Sequence, residues 1–176
     1  TKRMMYIGLK AIRKQFGLNY LCTVPSTLYG PGYHTDGRQM HFIFDLISKI
    51  IKGKVFNETV ILWGDGYQKR ELVFVKDFVR ALLQLSDKTD NNLVNIGAGE
   101  EFTIREYAQL ICDKVEYNFE KIQFDTSKYV GAKSKCLDTK KFNAILPDFK
   151  ATPLKEGLNN TIEWFFENQN TLLKSN

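Results

Sequence analysis

Helical and strand-like periodicities alternate along this chain of 176 residues, and that alternation limits the fold more than any other feature. Lys2 to Phe16 sets Met5, Leu9, Ile12 and Phe16 at helical intervals between Lys10, Arg13 and Lys14, with Gly17 as the cap. Leu18 to Val24 reads as a short apolar strand of the kind buried on both faces of a parallel sheet, stopped by Pro25. Phe42 to Ile51 is helical again and Gly53 closes it. Val60 to Trp63 and Glu71 to Val75 read as strands around the turn signal Gly64-Asp65-Gly66. A helix over Phe74 to Ser86, a polar loop over Asp87 to Asn92 and a strand over Leu93 to Ile96 follow. Thr103 with Glu106 makes a capping box for a helix reaching Val115. Ile122 to Phe124 is strand-like and Lys128 to Lys135 a basic loop. Asp138 caps a brief helix ending near Leu146, and Thr152-Pro153 opens a last helix with Leu154, Leu158, Ile162, Phe165 and Phe166 on one side. Such alternation, with short connections and no internal repeat, implies an α/β fold.

Several function classes lose ground at once. The net charge of +5 comes from Lys and Arg dispersed among acidic residues, and no helix-turn-helix, zinc-finger or RNA-binding signature accompanies it. A small anionic ligand such as a nucleotide sugar is therefore favoured over nucleic acid. No apolar run approaches the roughly 20 residues of a membrane span, and no signal-peptide order opens the chain. The expected compartment is the cytoplasm, without a membrane partner. Cys22, Cys112 and Cys136 are scattered and only two His are present, which suggests no disulfide framework and no metal site. All three thiols read as buried and reduced. No G-x-G-x-x-G opens a helix after a strand, and Gly97-Ala98-Gly99, lacking the third glycine, reads as a strand-to-helix turn.

Chemistry is expected where the first strand breaks into Pro25-Ser26-Thr27-Leu28-Tyr29-Gly30-Pro31 and the loop running on to His41. That segment resembles the P-T-N-L-Y-G-P loop of extended short-chain dehydrogenases/reductases, the NAD-dependent epimerase/dehydratase group, and most closely its GDP-L-fucose synthase branch. Further blocks agree in order. Leu62-Trp63-Gly64-Asp65-Gly66 resembles V-W-G-S-G, and Arg70 to Asp77 resembles R-E-F-L-H-V-D-D. Asn95 to Gly99 resembles N-V-G-T-G, Thr103 to Glu106 resembles T-I-R-E, and Trp164 to Asn168 resembles W-F-L-E-N. The match covers essentially the whole chain but only the carboxyl half of the family. It implies the last parallel strands of a Rossmann-like domain plus a smaller α/β substrate-binding domain. Residues 1–34 would end the nucleotide-binding domain and 35–176 would be mainly substrate-binding, with 71–97 returning to the Rossmann sheet.

The resemblance also implies roles. Lys2 falls on the lysine of the family's Y-x-x-x-K pair, whose tyrosine would lie just upstream of Thr1. Opposite charges about 4 Å apart at a surface-like dielectric are worth roughly 4 kcal/mol, on the order of three pKa units, so a lysine is what makes the tyrosine acidic. The chain is accordingly expected to be the carboxyl-terminal portion of a longer enzyme and inactive alone. His41, ten residues after Pro31, falls on the family's acid/base histidine for epimerisation beside a 4-keto group; its other reading is structural, at the start of a helix. Lys2, Pro25, Thr27, Leu28 and His41 would line a bound NADP or NAD, with backbone amides of the Pro25 to Leu28 segment available to its carboxamide. Arg70, Lys49 and Lys128 or Lys135 would meet the diphosphate of a GDP-linked sugar, and Trp63 would touch the substrate. Without the resemblance, Arg70 and Lys49 read as solvated cations and Trp63 as core. The pattern breaks at Tyr129, Thr27 and Gly32-Tyr33-His34. The implied parent is a nucleotide-sugar epimerase/reductase, a homodimer through Met4 to Phe16; the alternatives are a 4-epimerase or dehydratase retaining NAD, and a non-catalytic sugar-nucleotide-binding module.

Overall fold

The computed structural model describes residues 1–34 and 38–168. Thr35, Asp36 and Gly37 of the loop singled out above lie outside them. The chain opens with α1 (Lys2–Phe16), which Gly17 ends in a left-handed conformation, its N–H bonded to the Arg13 carbonyl. Then come β1 (Leu21–Pro25), β2 (Thr27–Tyr29), α2 (Phe42–Phe56), β3 (Ile61–Trp63), β4 (Lys69–Arg70), β5 (Leu72–Phe74), α3 (Val75–Lys88), β6 (Asn92–Ile96), β7 (Phe102–Thr103), α4 (Ile104–Val115), β8 (Gln123–Asp125), α5 (Lys140–Ile145) and α6 (Leu154–Glu167). The expected α/β alternation is present.

Three strand pairs, β1 with β6, β2 with β5 and β3 with β8, are parallel; β4 and β7 form an antiparallel ribbon. The larger apolar cluster brings Tyr29, Ile47, Leu62, Tyr107, Leu158 and Phe165 together from β2, α2, β3, α4 and α6. A second gathers Ala81, Leu85, Val94, Ile96, Phe142 and Leu146 between α3, β6 and α5. Thr103 and Glu106 satisfy each other's backbone N–H groups at the start of α4, and the Thr103 N–H and hydroxyl, both donating to Glu106 Oε2, hold that carboxyl below its usual range.

Four sequence expectations change. The first strand begins at Leu21, includes Pro25, and is half-buried to exposed rather than buried on both faces; among the described residues it pairs only with β6. The segment read as loop after Pro25 contains β2, which long-range pairing with Leu72 to Phe74 creates. Gly53 does not end its helix: α2 continues to Phe56, and a Cβ at Gly53 would sit 2.5 Å from Val60 Cγ2. Thr152 does not cap α6, because its N–H and hydroxyl both donate to the buried Asp77 carboxylate. No helix among the described residues is long and apolar enough to cross a membrane.

Candidate functional site

The Pro25 to Tyr29 segment steps from one parallel pair to the next. At the end of β1, Pro25 registers with Ile96, and the Ser26 N–H donates to the Ile96 carbonyl at 3.0 Å. The Ser26 hydroxyl donates to the Glu71 carbonyl at 3.0 Å. β2 then continues beside β5. The carboxyl ends of β1 and β6, where open parallel sheets gather ligands, therefore meet at Ser26, Glu71 and Gly97. Pro25 is exposed, and Thr27 and Leu28 are half-buried. The amides expected to be available here are only partly so: that of Ser26 is engaged, and β2 offers only the edge turned away from β5.

His41 is exposed and occupies the N-cap position of α2, where its carbonyl accepts from the Phe44 and Asp45 N–H groups. Its imidazole makes no capping bond. Its backbone N–H donates to the Tyr33 hydroxyl at 2.9 Å, while the Tyr33 ring stacks on Phe44 at 3.7 Å between centroids. Tyr33 thus fixes where His41 stands, a role no periodicity announces. Lys49, two turns on, pairs with Asp45 at 2.8 Å. Lys2 is exposed at the start of α1.

The other predicted residues converge around β4. Arg70 Nη1 donates to the Ala132 carbonyl at 2.8 Å and to that of Lys69 at 2.7 Å, and Nη2 donates to Val130 at 3.1 Å. Three of its five N–H groups are so engaged, and two make no bond among the described residues. Arg70 is therefore brought onto the basic loop that carries the exposed Lys128 and Lys135. Trp63 is 59% exposed, so its reading as core fails; β3 turns it outward while Leu62 enters the core. Gly64 directly after it leaves room for Val130, whose Cγ1 lies 2.4 Å from where a Cβ would be. Indole, guanidinium and basic loop thus share one surface.

Sequence reasoning missed Glu71. It is 1% exposed, and its two carboxylate oxygens accept the N–H groups of Gly99 and Leu137, each at 2.9 Å. The signal was present in the Arg70-Glu71 pair, but a carboxylate beside an arginine reads as a solvated partner. The thiols are unpaired, yet only Cys112 is buried: burial pushes it up to about 12, while Cys22 is half-buried and Cys136 exposed. Partial desolvation and the adjacent Glu71 carboxylate also raise Cys136, which disfavours a nucleophilic thiolate. Among the described residues no cluster of His, Cys, Asp and Glu could hold a metal ion.

Comparison with known proteins identifies the family. The model of the NAD dependent epimerase/dehydratase family matches residues 1–97. A dTDP-4-dehydro-6-deoxy-D-allose reductase of Streptomyces bikiniensis is 34% identical over 87% of this chain and 45% of its own length. A protein named probable GDP-L-fucose synthase 1, of Oryza sativa subsp. japonica, is 34% identical over 90% of this chain and 48% of its own. The crystal structure of a GDP-L-fucose synthetase from Naegleria fowleri bound to NADP superposes with a TM-score of 0.86 at 25% identity, covering 98% of this chain and 56% of that one. The chain spans about half the length of the curated relatives it matches.

Proposed function

Since this chain belongs to the NAD-dependent epimerase/dehydratase family, we propose that it is the carboxyl-terminal, substrate-binding half of a cytoplasmic nucleotide-sugar epimerase/reductase acting on a GDP-linked 4-keto-6-deoxy sugar. The supporting observation is similarity across 90% of the chain to the rice relative, rather than at one motif. In this reading β1, β2, β5 and β6 belong to the Rossmann sheet, and α2, α4, α6 and the β3–β8 pair form the substrate domain. The parent would be a homodimer and the chain alone inactive.

Nicotinamide fits the exposed Pro25 and the half-buried Thr27 and Leu28 at the strand ends, which offer an apolar wall and one strand edge. When bound, NADPH supplies the hydride for C4 of the sugar. The remaining chemistry belongs to side chains. The exposed His41 imidazole, not used in capping, takes and returns protons at the carbons flanking the keto group, since histidine changes charge near neutral pH. The Lys2 ammonium lowers the pKa of an upstream tyrosine, the acid for the C4 oxygen. Arg70 meets the diphosphate with its two remaining N–H groups, a guanidinium fork suiting phosphate better than a point charge. Lys49 and Lys128 or Lys135 add positive charge, and Trp63 lies against the nucleotide.

Calorimetry on the full-length parent with GDP and dTDP tests the ligand. GDP is expected to bind, and Arg70→Ala to weaken it by about tenfold or more, the loss of charge-assisted bonds. Binding of dTDP in preference to GDP would favour the second reading, which the Streptomyces relative supports: a dTDP-linked keto-sugar reductase. Binding of neither would remove the nucleotide-sugar assignment.

A further inference from the structure

A buried carboxylate needs partners, and Glu71 has two backbone N–H groups from distant parts of the chain. Oε1 holds the Gly99 N–H and Oε2 the Leu137 N–H, from positions 28 and 66 residues away. Gly97 is confined to glycine by the same group: an added Cβ would lie 2.4 Å from Glu71 Oε1. The two residues before Glu71 act on the same loop. The Lys69 N–H donates to the Lys133 carbonyl at 2.7 Å, and the Arg70 guanidinium holds the Val130 and Ala132 carbonyls. From outside, Glu101 accepts the Ser134 hydroxyl at 2.8 Å and the Lys135 N–H at 3.2 Å. The loop over residues 130–137 is therefore tied at its carbonyls by Lys69 and Arg70 and at its far end by Glu71. Of these ties only the Glu71 carboxylate is fully shielded from water, where a charge-assisted bond is strongest.

We infer that Glu71 is the positioning residue of the nucleotide subsite: it fixes the 130–137 loop against β4 before ligand arrives, and so sets where Arg70 and the loop lysines stand. The subsite part of this inference rests on the function proposed above; the tie itself does not. A loop held in advance costs a ligand less ordering entropy, so Glu71 acts on affinity rather than on the chemical step.

The test is Glu71→Gln in the full-length protein, which keeps shape but replaces one acceptor by a donor. Tryptic cleavage after Lys133 and Lys135, mapped by mass spectrometry, is expected to rise roughly tenfold with the far-ultraviolet circular dichroism retained, and KM for the nucleotide sugar to rise by about tenfold with kcat within about threefold. A folded variant cleaved at the wild-type rate overturns the tie. If Glu71→Gln does not fold, Leu137→Pro removes the same bond from the loop side, and its cleavage rate decides in the same way. Cleavage spread along the whole chain in both variants makes Glu71 a general core residue and overturns the inference. Opened loops with an unchanged KM overturn its role at the subsite. Cleavage is read without ligand, so a failure of the nucleotide reading leaves that result standing and is distinguished by absent GDP binding to wild type.

Discussion

His41 separates the chemical reading from the structural one at the scale of a single residue. Its backbone opens α2 and is held by Tyr33, while its imidazole makes no cap bond. His41→Gln should therefore leave the helix and GDP affinity unchanged and lower kcat of the full-length protein by about 10² to 10⁴, the usual contribution of an acid/base group. Unchanged kcat would return His41 to a structural role. Residue-level legibility was uneven for a physical reason. Arg70 and Trp63 can be proposed from the sequence because they sit in a distinctive local string, Trp63-Gly64-Asp65-Gly66 followed by Arg70. Glu71 and Tyr33 were missed because their importance lies in partners such as Leu137 and Phe44, which sequence distance conceals.

Among the elements, local chemistry was readable and packing was not. The start of α4 follows from Thr103 and Glu106 alone, and both reciprocal bonds are in place. Strand β2 was hidden because three residues acquire their conformation only from β5. Helix α2 runs past its expected end because Gly53 serves close approach: Val60 and the Tyr117 ring occupy the space a side chain would need, at 2.5 and 3.1 Å. Gly53→Ala, a change that raises intrinsic helix propensity, is thus expected to destabilise by about 1 to 3 kcal/mol, overpacking outweighing the gain. Thermal or urea unfolding checks this, and a stabilised Gly53→Ala variant would mean the glycine is there for another reason.

For the whole molecule, the α/β class was legible because helix and strand periods alternate throughout, whereas the surface was not. No residue of α1 is buried: Met4, Met5 and Phe16 are 68%, 67% and 62% exposed, and β1 is covered on one edge only. Helix and strand keep the apolar character of elements meant to be packed; under the proposed function, further Rossmann strands and a second subunit would lie against them. The central claim, that this chain is the substrate half of a GDP-sugar epimerase/reductase, is tested most directly by mixing the full-length protein with GDP-4-keto-6-deoxymannose and NADPH and following NADPH absorbance. The account predicts oxidation of NADPH that requires the sugar nucleotide. Protein that binds GDP yet leaves NADPH unoxidised would contradict it.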